Sequence, residues 1–164
     1  MPNLKWSVSH AVFVPDIDDE HQEIFAAVAD LKSVLAAHGD AVASMKHLTS
    51  YIVDHFAHEE RLMRAARYQS LRWHKQQHEG ARRRIAQFAA LIESGDRDAG
   101  PALVEYLTAW LTAHTRLADR MMGSFLRNRR LGLWKTTFQA GTKPIDAGNW
   151  VDSKGRAFRA RVSP

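Results

Sequence analysis

Residues 52–63 read Ile52-Val53-Asp54-His55-Phe56-Ala57-His58-Glu59-Glu60-Arg61-Leu62-Met63, and they put polar side chains where a helix buries apolar ones. Ile52, His55, Glu59 and Leu62 follow at steps of 3, 4 and 3, the spacing of one helical face. The same substitution recurs along the chain. His21 precedes Phe25, Val28 and Leu35 by 4, 7 and 14 residues. His74, His78, Ala81, Ile85 and Phe88 are spaced 4, 3, 4 and 3, and Leu107, Trp110, His114, Leu117 and Met121 are spaced 3, 4, 3 and 4. Imidazoles and carboxylates in a core cost several kcal/mol unless something there binds them. A metal site inside a helical bundle is the reading that accounts for all of them together.

Working outward, four amphipathic segments emerge. The first runs from about Asp18 to Ala37, with Asp16, Asp18, Asp19 and Glu20 supplying dipole-compatible charge at its start. Gly39-Asp40 breaks it. The second spans about Ala41 to Ala66, and the third runs from Ser70, taken as N-cap, to Glu93. Pro101 suits the first turn of the fourth, which continues to about Asn128 through Leu117, Met121 and Phe125. Short connections between amphipathic helices predict an all-α, antiparallel, up-down-up-down four-helix bundle. It covers residues 1–130, with 1–16 as an irregular arm.

In such a bundle the polar residues fall at one level. His21 starts the first helix, His55 and Glu59 lie late in the second, His74 and His78 early in the third, and His114 late in the fourth. Asp119 is the odd member. Five residues from His114 is about 140° around a regular helix, so Asp119 reaches the same site only if the helix bulges locally, as helices do at functional sites. Five histidines and two carboxylates are too many ligands for one ion and fit two. Imidazole alone does not name the metal, but two carboxylates able to bridge favour a dinuclear iron or manganese centre. His10, His38, His47 and His58 lack comparable support and read as structural or surface residues; His58 points about 100° away from Glu59.

Composition sets the outer bounds. The chain has 164 residues, is 45% hydrophobic and has no cysteine, which excludes disulfides, thiolate sites and iron–sulfur clusters. No apolar run approaches the ~20 residues of a membrane span, and no signal core follows Lys5, so a cytoplasmic setting is expected. The net charge of +5 is uneven: residues from Arg127 onward carry nine Lys/Arg and two Asp/Glu, whereas residues 1–126 balance at −2. The extension 131–164 therefore reads as a basic, aromatic-containing tail. It is a solvated segment, a hairpin over Trp150–Val162, or the opening of a further domain. Such a tail can contact a protein or an anionic surface; nucleic acid is not the expected partner.

The segments Ile17-Asp18-Asp19-Glu20-His21, His55 to Met63, His74-Lys75-Gln76-Gln77-His78 and Trp110 to Asp119 together resemble the hemerythrin family. The resemblance covers about residues 6–128 and fills seven ligand positions, Asp119 included. The long interval from His78 to His114 is more similar to bacterial members. The resemblance implies two non-haem iron ions with an oxo or hydroxo bridge. His74, His78 and His114 would hold one, His21 and His55 the other with a position left open, and Glu59 and Asp119 would bridge. It further implies reversible O2 binding for carriage, storage or delivery, and no enzymatic activity. The alternatives are an O2 or redox sensing module and a di-iron protein acting on peroxide or nitric oxide. Phe56, Trp110, Leu111 and Thr115 would line the O2 pocket; Thr115 stands where the family often has an aliphatic residue, so its hydroxyl can admit water or donate a hydrogen bond.

Overall fold

The structure, a computed structural model, describes residues 5–130. A short 3-10 turn, Val8–His10, precedes helices α1 (Pro15–Ala36), α2 (Ala41–Ala65), α3 (Leu71–Glu93) and α4 (Ala99–His114). A π-helical segment, Thr115–Asp119, then runs directly into α5 (Arg120–Arg130). The last three form one rod, the fourth helix expected from the sequence. Around the bundle α1 packs on α2 and α4, α2 on α3, and α3 on α4. No strand occurs among the described residues, and none of their helices is long and apolar enough to cross a membrane. The basic extension 131–164, with its expected hairpin and surface contacts, lies outside the described residues.

Local chemistry explains the helix ends. Pro15 occupies the first turn of α1, where its missing N–H costs nothing. Asp40 caps α2 by accepting from the Ala43 N–H at 2.9 Å. Ser70 precedes α3 as expected but makes no side-chain cap bond. Helices α1, α2 and α3 all stop in the same way, with a left-handed residue (His38, Arg67, Gly95) after the last turn. The next N–H then reaches back to the carbonyl of Val34, Met63 or Leu91 at 2.8–3.0 Å, satisfying groups a helix end leaves orphaned.

The apolar core is split in two. The larger part joins Phe25, Val28 and Leu31 of α1 to Leu48, Ile52, Ile85, Phe88, Leu103 and Leu107. The smaller part gathers Val12, Ile17, Met63, Tyr68 and Met122 near the other end. On α1, α2 and the α4–α5 rod the candidate ligands fall between residues of these two clusters. The polar layer is thus sealed by hydrocarbon on both sides.

The rod departs from the periodic reading at its π turn. Leu117 and Met121, placed in the core by a 3.6-residue repeat, are 57% and 47% exposed, whereas Ala118, Asp119 and Met122 are buried. One extra residue is absorbed in the π turn, which rotates everything after it. Leu91, near the end of α3, is likewise exposed.

The arm is more ordered than its composition implies. Helix α1 begins within it, and the Asp18 carboxylate turns back to accept from Val12 N–H (2.8 Å) and Phe13 N–H (2.9 Å) instead of capping its own helix. The 3-10 turn lies against the π segment. Arg120 donates to the Ser9 and Ala11 carbonyls, each at 3.1 Å, and Arg127 donates to that of Val12. Gly123 permits this approach: a Cβ there would stand 2.5 Å from the Val12 oxygen. Gly123→Ala is expected to push the arm off the rod and lower stability by about 1–3 kcal/mol, the usual cost of overpacking. Urea unfolding checks this; an unchanged midpoint would show that the arm yields freely.

Candidate metal centre

All seven candidate ligands are buried, with none more than 6% exposed. His21 comes from α1, His55 and Glu59 from α2, His74 and His78 from α3, His114 from the end of α4, and Asp119 from the end of the π segment. Side chains four apart on a helix stack nearly above one another, so α2 and α3 each present an adjacent pair. The π turn does the equivalent for the five-residue step, bringing Asp119 Oδ1 to 3.0 Å from His114 Nε2.

The two carboxylates each face two ways. Asp119 Oδ1 lies 3.1 Å from His74 Nε2, and its Oδ2 lies 3.2 Å from His21 Nε2. Glu59 Oε2 is 3.1 Å from His78 Nε2 and 3.4 Å from His74 Nε2, while Oε1 faces His55 Nε2 at 3.7 Å. Two overlapping donor groups result, each with its ligand atoms within 4.8 Å of one another. One comprises Glu59, His74, His78, His114 and Asp119; the other comprises His21, His55, Glu59 and Asp119.

Without a metal ion, the charge of the two buried carboxylates falls to the imidazoles around them to meet. Burial and the neighbouring Asp119 push the Glu59 carboxyl up, but His55, His74 and His78 outweigh them and hold it below its usual range. Burial likewise opposes ionisation of Asp119, yet His114, His21 and His74 keep it well below the usual aspartate value. Two ionised carboxylates therefore share a dry core. In return His74, which burial alone would lower, is raised to about 9 by Asp119 and Glu59. His21 is raised against burial by Asp119, and His78 is lowered, chiefly by burial.

The hydrogen bonds do not close. Both oxygens of Glu59, both of Asp119, His21 Nε2 and His114 Nε2 are buried without a hydrogen bond of acceptable geometry. His74 Nε2 and His78 Nε2 face each other at 3.1 Å. A buried polar atom left unpaired costs about 1–3 kcal/mol, and six converge here. Metal ions would satisfy them together, so the donor set fits a metal pair.

Of the residues expected to line an O2 pocket, two stack on candidate ligand imidazoles. Phe56 stacks flat on His78 with ring centroids 3.9 Å apart, and the half-buried Trp110 stacks on His114 at 4.2 Å. Leu111 is buried. Thr115 is fully buried and its hydroxyl has no partner, whereas the Thr108 and Thr112 hydroxyls donate to carbonyls four residues back, each at 2.7 Å.

Sequence reasoning missed a set of residues behind the ligands. Glu20, read as a helix-start charge, accepts from His55 Nδ1 at 2.9 Å and from the buried His58 Nδ1 at 2.7 Å. Burial raises its carboxyl, but these two hydrogen bonds bring it down to about 2. Glu60 accepts from His78 Nδ1 (3.2 Å) and Arg82 (3.0 Å). Each carboxylate fixes the proton of its partner ligand on Nδ1 and leaves the Nε2 lone pair facing inward. The only signal available was adjacency: Glu20 precedes His21, while His58 and Glu60 flank Glu59. His10 is also buried, against Phe25, with its Nδ1 accepting from the Ser7 N–H at 3.2 Å.

Known proteins share this arrangement of sequence. Residues 12–126 match the family model described as the hemerythrin HHE cation binding domain. Bacteriohemerythrin of Pseudomonas aeruginosa strain UCBPP-PA14 is 29% identical over 143 residues, covering 86% of this chain and 93% of the relative. Myohemerythrin of Riftia pachyptila is 32% identical over 114 residues, 70% of this chain and 86% of the relative. Myohemerythrin-1 of Phascolopsis gouldii is 29% identical over the same length, covering 87% of that protein. With a family model spanning most of the bundle, the chain belongs to the hemerythrin family of HHE cation-binding domains.

Proposed function

We propose that this chain binds O2 reversibly at a non-haem di-iron centre, serving oxygen carriage, storage or local delivery. The observation that carries the reading is the inequality of the two donor groups, five side chains against four with Glu59 and Asp119 common to both. His74, His78 and His114 would hold one iron. His21 and His55 would hold the other, one donor short, which leaves a coordination position for a small ligand. When bound, the iron pair supplies the electrons that O2 takes up and returns.

The chain's own contribution is to orient, enclose and keep dry. Glu20 and Glu60 hold His55 and His78 in the tautomer that donates from Nε2. Phe56 and Trp110, with centroids 5.5 Å apart, and Leu111 supply an apolar wall that limits water and proton access. A set dominated by imidazole also differs from the carboxylate-rich di-iron sites of ferritin-like proteins, which favours binding over catalysis.

The unpartnered Thr115 hydroxyl favours a second reading. A donor among the wall residues would polarise a bound small ligand and shorten the life of an oxygenated state. That suits O2 or redox sensing, or chemistry on peroxide or nitric oxide. One experiment separates the two. The iron-loaded protein is reduced without air, exposed to air, then stripped of oxygen while the visible spectrum is followed. Charge-transfer bands that appear and then vanish support carriage. Bands that appear and persist move the function to sensing or redox chemistry, and bound metal with no bands overturns the di-iron reading.

A further inference from the structure

The ligand imidazoles are not backed alike. Each donor group contains one histidine whose Nδ1 meets a carboxylate, His78 on Glu60 in the first and His55 on Glu20 in the second. His21 Nδ1 and His74 Nδ1 are buried with no partner. The two carboxylates also differ in what steadies them. Glu60 is held by the Arg82 guanidinium at 3.0 Å, a permanent charge that also lies over the Phe56 ring. Glu20 spends its second oxygen on His58 at 2.7 Å, and His58 belongs to neither donor group.

We propose that Glu20 and His58 form a positioning pair that holds His55 and thereby governs metal retention at the two-histidine position. The inference rests on reading the cluster as a two-metal site. Glu20 sits on α1 beside the ligand His21, and His58 sits on α2 beside the ligand Glu59. Their hydrogen bond therefore ties the two helices together at the level where both supply donors. His58 occupies Oε1 of Glu20, which leaves Oε2 facing His55 at 2.9 Å. Glu20 is one-fifth exposed, so loss of His58 would free Oε1 and let the carboxylate turn toward water. A carboxylate on Nδ1–H fixes the ring plane and raises the basicity of Nε2, and losing such a partner costs 10–100-fold in metal affinity. The effect should be selective. The two-histidine group has fewer donors and only this one backed imidazole, while the other group is backed through Glu60 and Arg82.

The test is anaerobic titration of the metal-free full chain with ferrous iron, resolving the two binding steps. Glu20→Gln and His58→Leu are expected to weaken the second step about 10–100-fold while leaving the first within about twofold. His58→Asn keeps a donor where Nδ1 stood and should recover most of the loss. Glu60→Gln should weaken the first step instead. Helix content and thermal unfolding of each metal-free variant establish that it folds, and Glu20→Gln tests the idea if His58→Leu does not. Equal weakening of both steps would mark a merely structural role and overturn the proposal. So would unchanged second-step affinity, or an Asn variant as impaired as the Leu variant. A wild-type chain that takes fewer than two irons sinks the two-metal reading itself, a separate failure.

Discussion

Glu59→Ala protein is expected to hold at most one iron per chain, against the two expected of the wild type. Glu59 is buried completely and offers one oxygen to each donor group, Oε1 toward His55 and Oε2 toward His74 and His78. Removing it leaves the three-histidine group with His74, His78, His114 and Asp119, and the other with His21, His55 and Asp119 alone. Four donors still make a closed site of ordinary coordination number, whereas three, with Asp119 shared between the two groups, do not. The two-histidine position should therefore empty first. The substitution also removes a negative charge from a core that gathers imidazoles, so the surviving ion should bind more weakly. Glu59→Gln separates charge from shape, because it keeps one oxygen donor without the charge. Iron per chain after desalting is the measurement. Full retention of both ions by the alanine variant would remove Glu59 from the ligand set.

How much of the fold and the site is legible in the sequence depends on the range of the interaction. His21, His55, Glu59, His74, His78 and His114 are legible because each interrupts an apolar stripe at a stripe position, a purely local signal. Their common level follows from the alternation of helix direction. Asp119 is legible only as an anomaly. Its five-residue step announces a bulge, yet a 3.6-residue repeat carried through that bulge places Leu117 and Met121 in the core. Those residues point to solvent because the π turn has already shifted the phase. Glu20 and His58 are marked in the sequence only by standing next to ligand positions. They lie 38 residues apart, and a carboxylate in the first turns of a helix has an adequate local explanation in the dipole. The same limit hides Asp18, whose carboxylate serves the backbone of the arm behind it.

Removing the metal should reverse how the protein responds to alkali. In the metal-free chain His74, fully buried, is held up at about 9 by Asp119 and Glu59, and His21 is raised by Asp119. A histidine whose folded value exceeds its unfolded value of 6.5 stabilises the fold fully below 6.5 and loses that contribution as pH rises through the folded value. Between neutrality and pH ~9.5 the carboxylates are ionised in both states and His78, which is lowered, is neutral in both. The raised histidines dominate the change, and the metal-free protein should lose stability across that window, by about 2 kcal/mol for His74 alone. The loaded protein should show no such loss, because its ligand nitrogens are already without protons and protons compete less with the metal as pH rises. At free metal a thousandfold above Kd, each bound ion adds about 4 kcal/mol besides. Urea midpoints of loaded and chelator-stripped protein at pH ~7 and ~9.5 decide the matter. A stripped protein as stable at the higher pH as at the lower would show that the buried imidazoles do not carry protons for the metal. Parallel behaviour of the two forms would detach this buried layer from metal binding altogether.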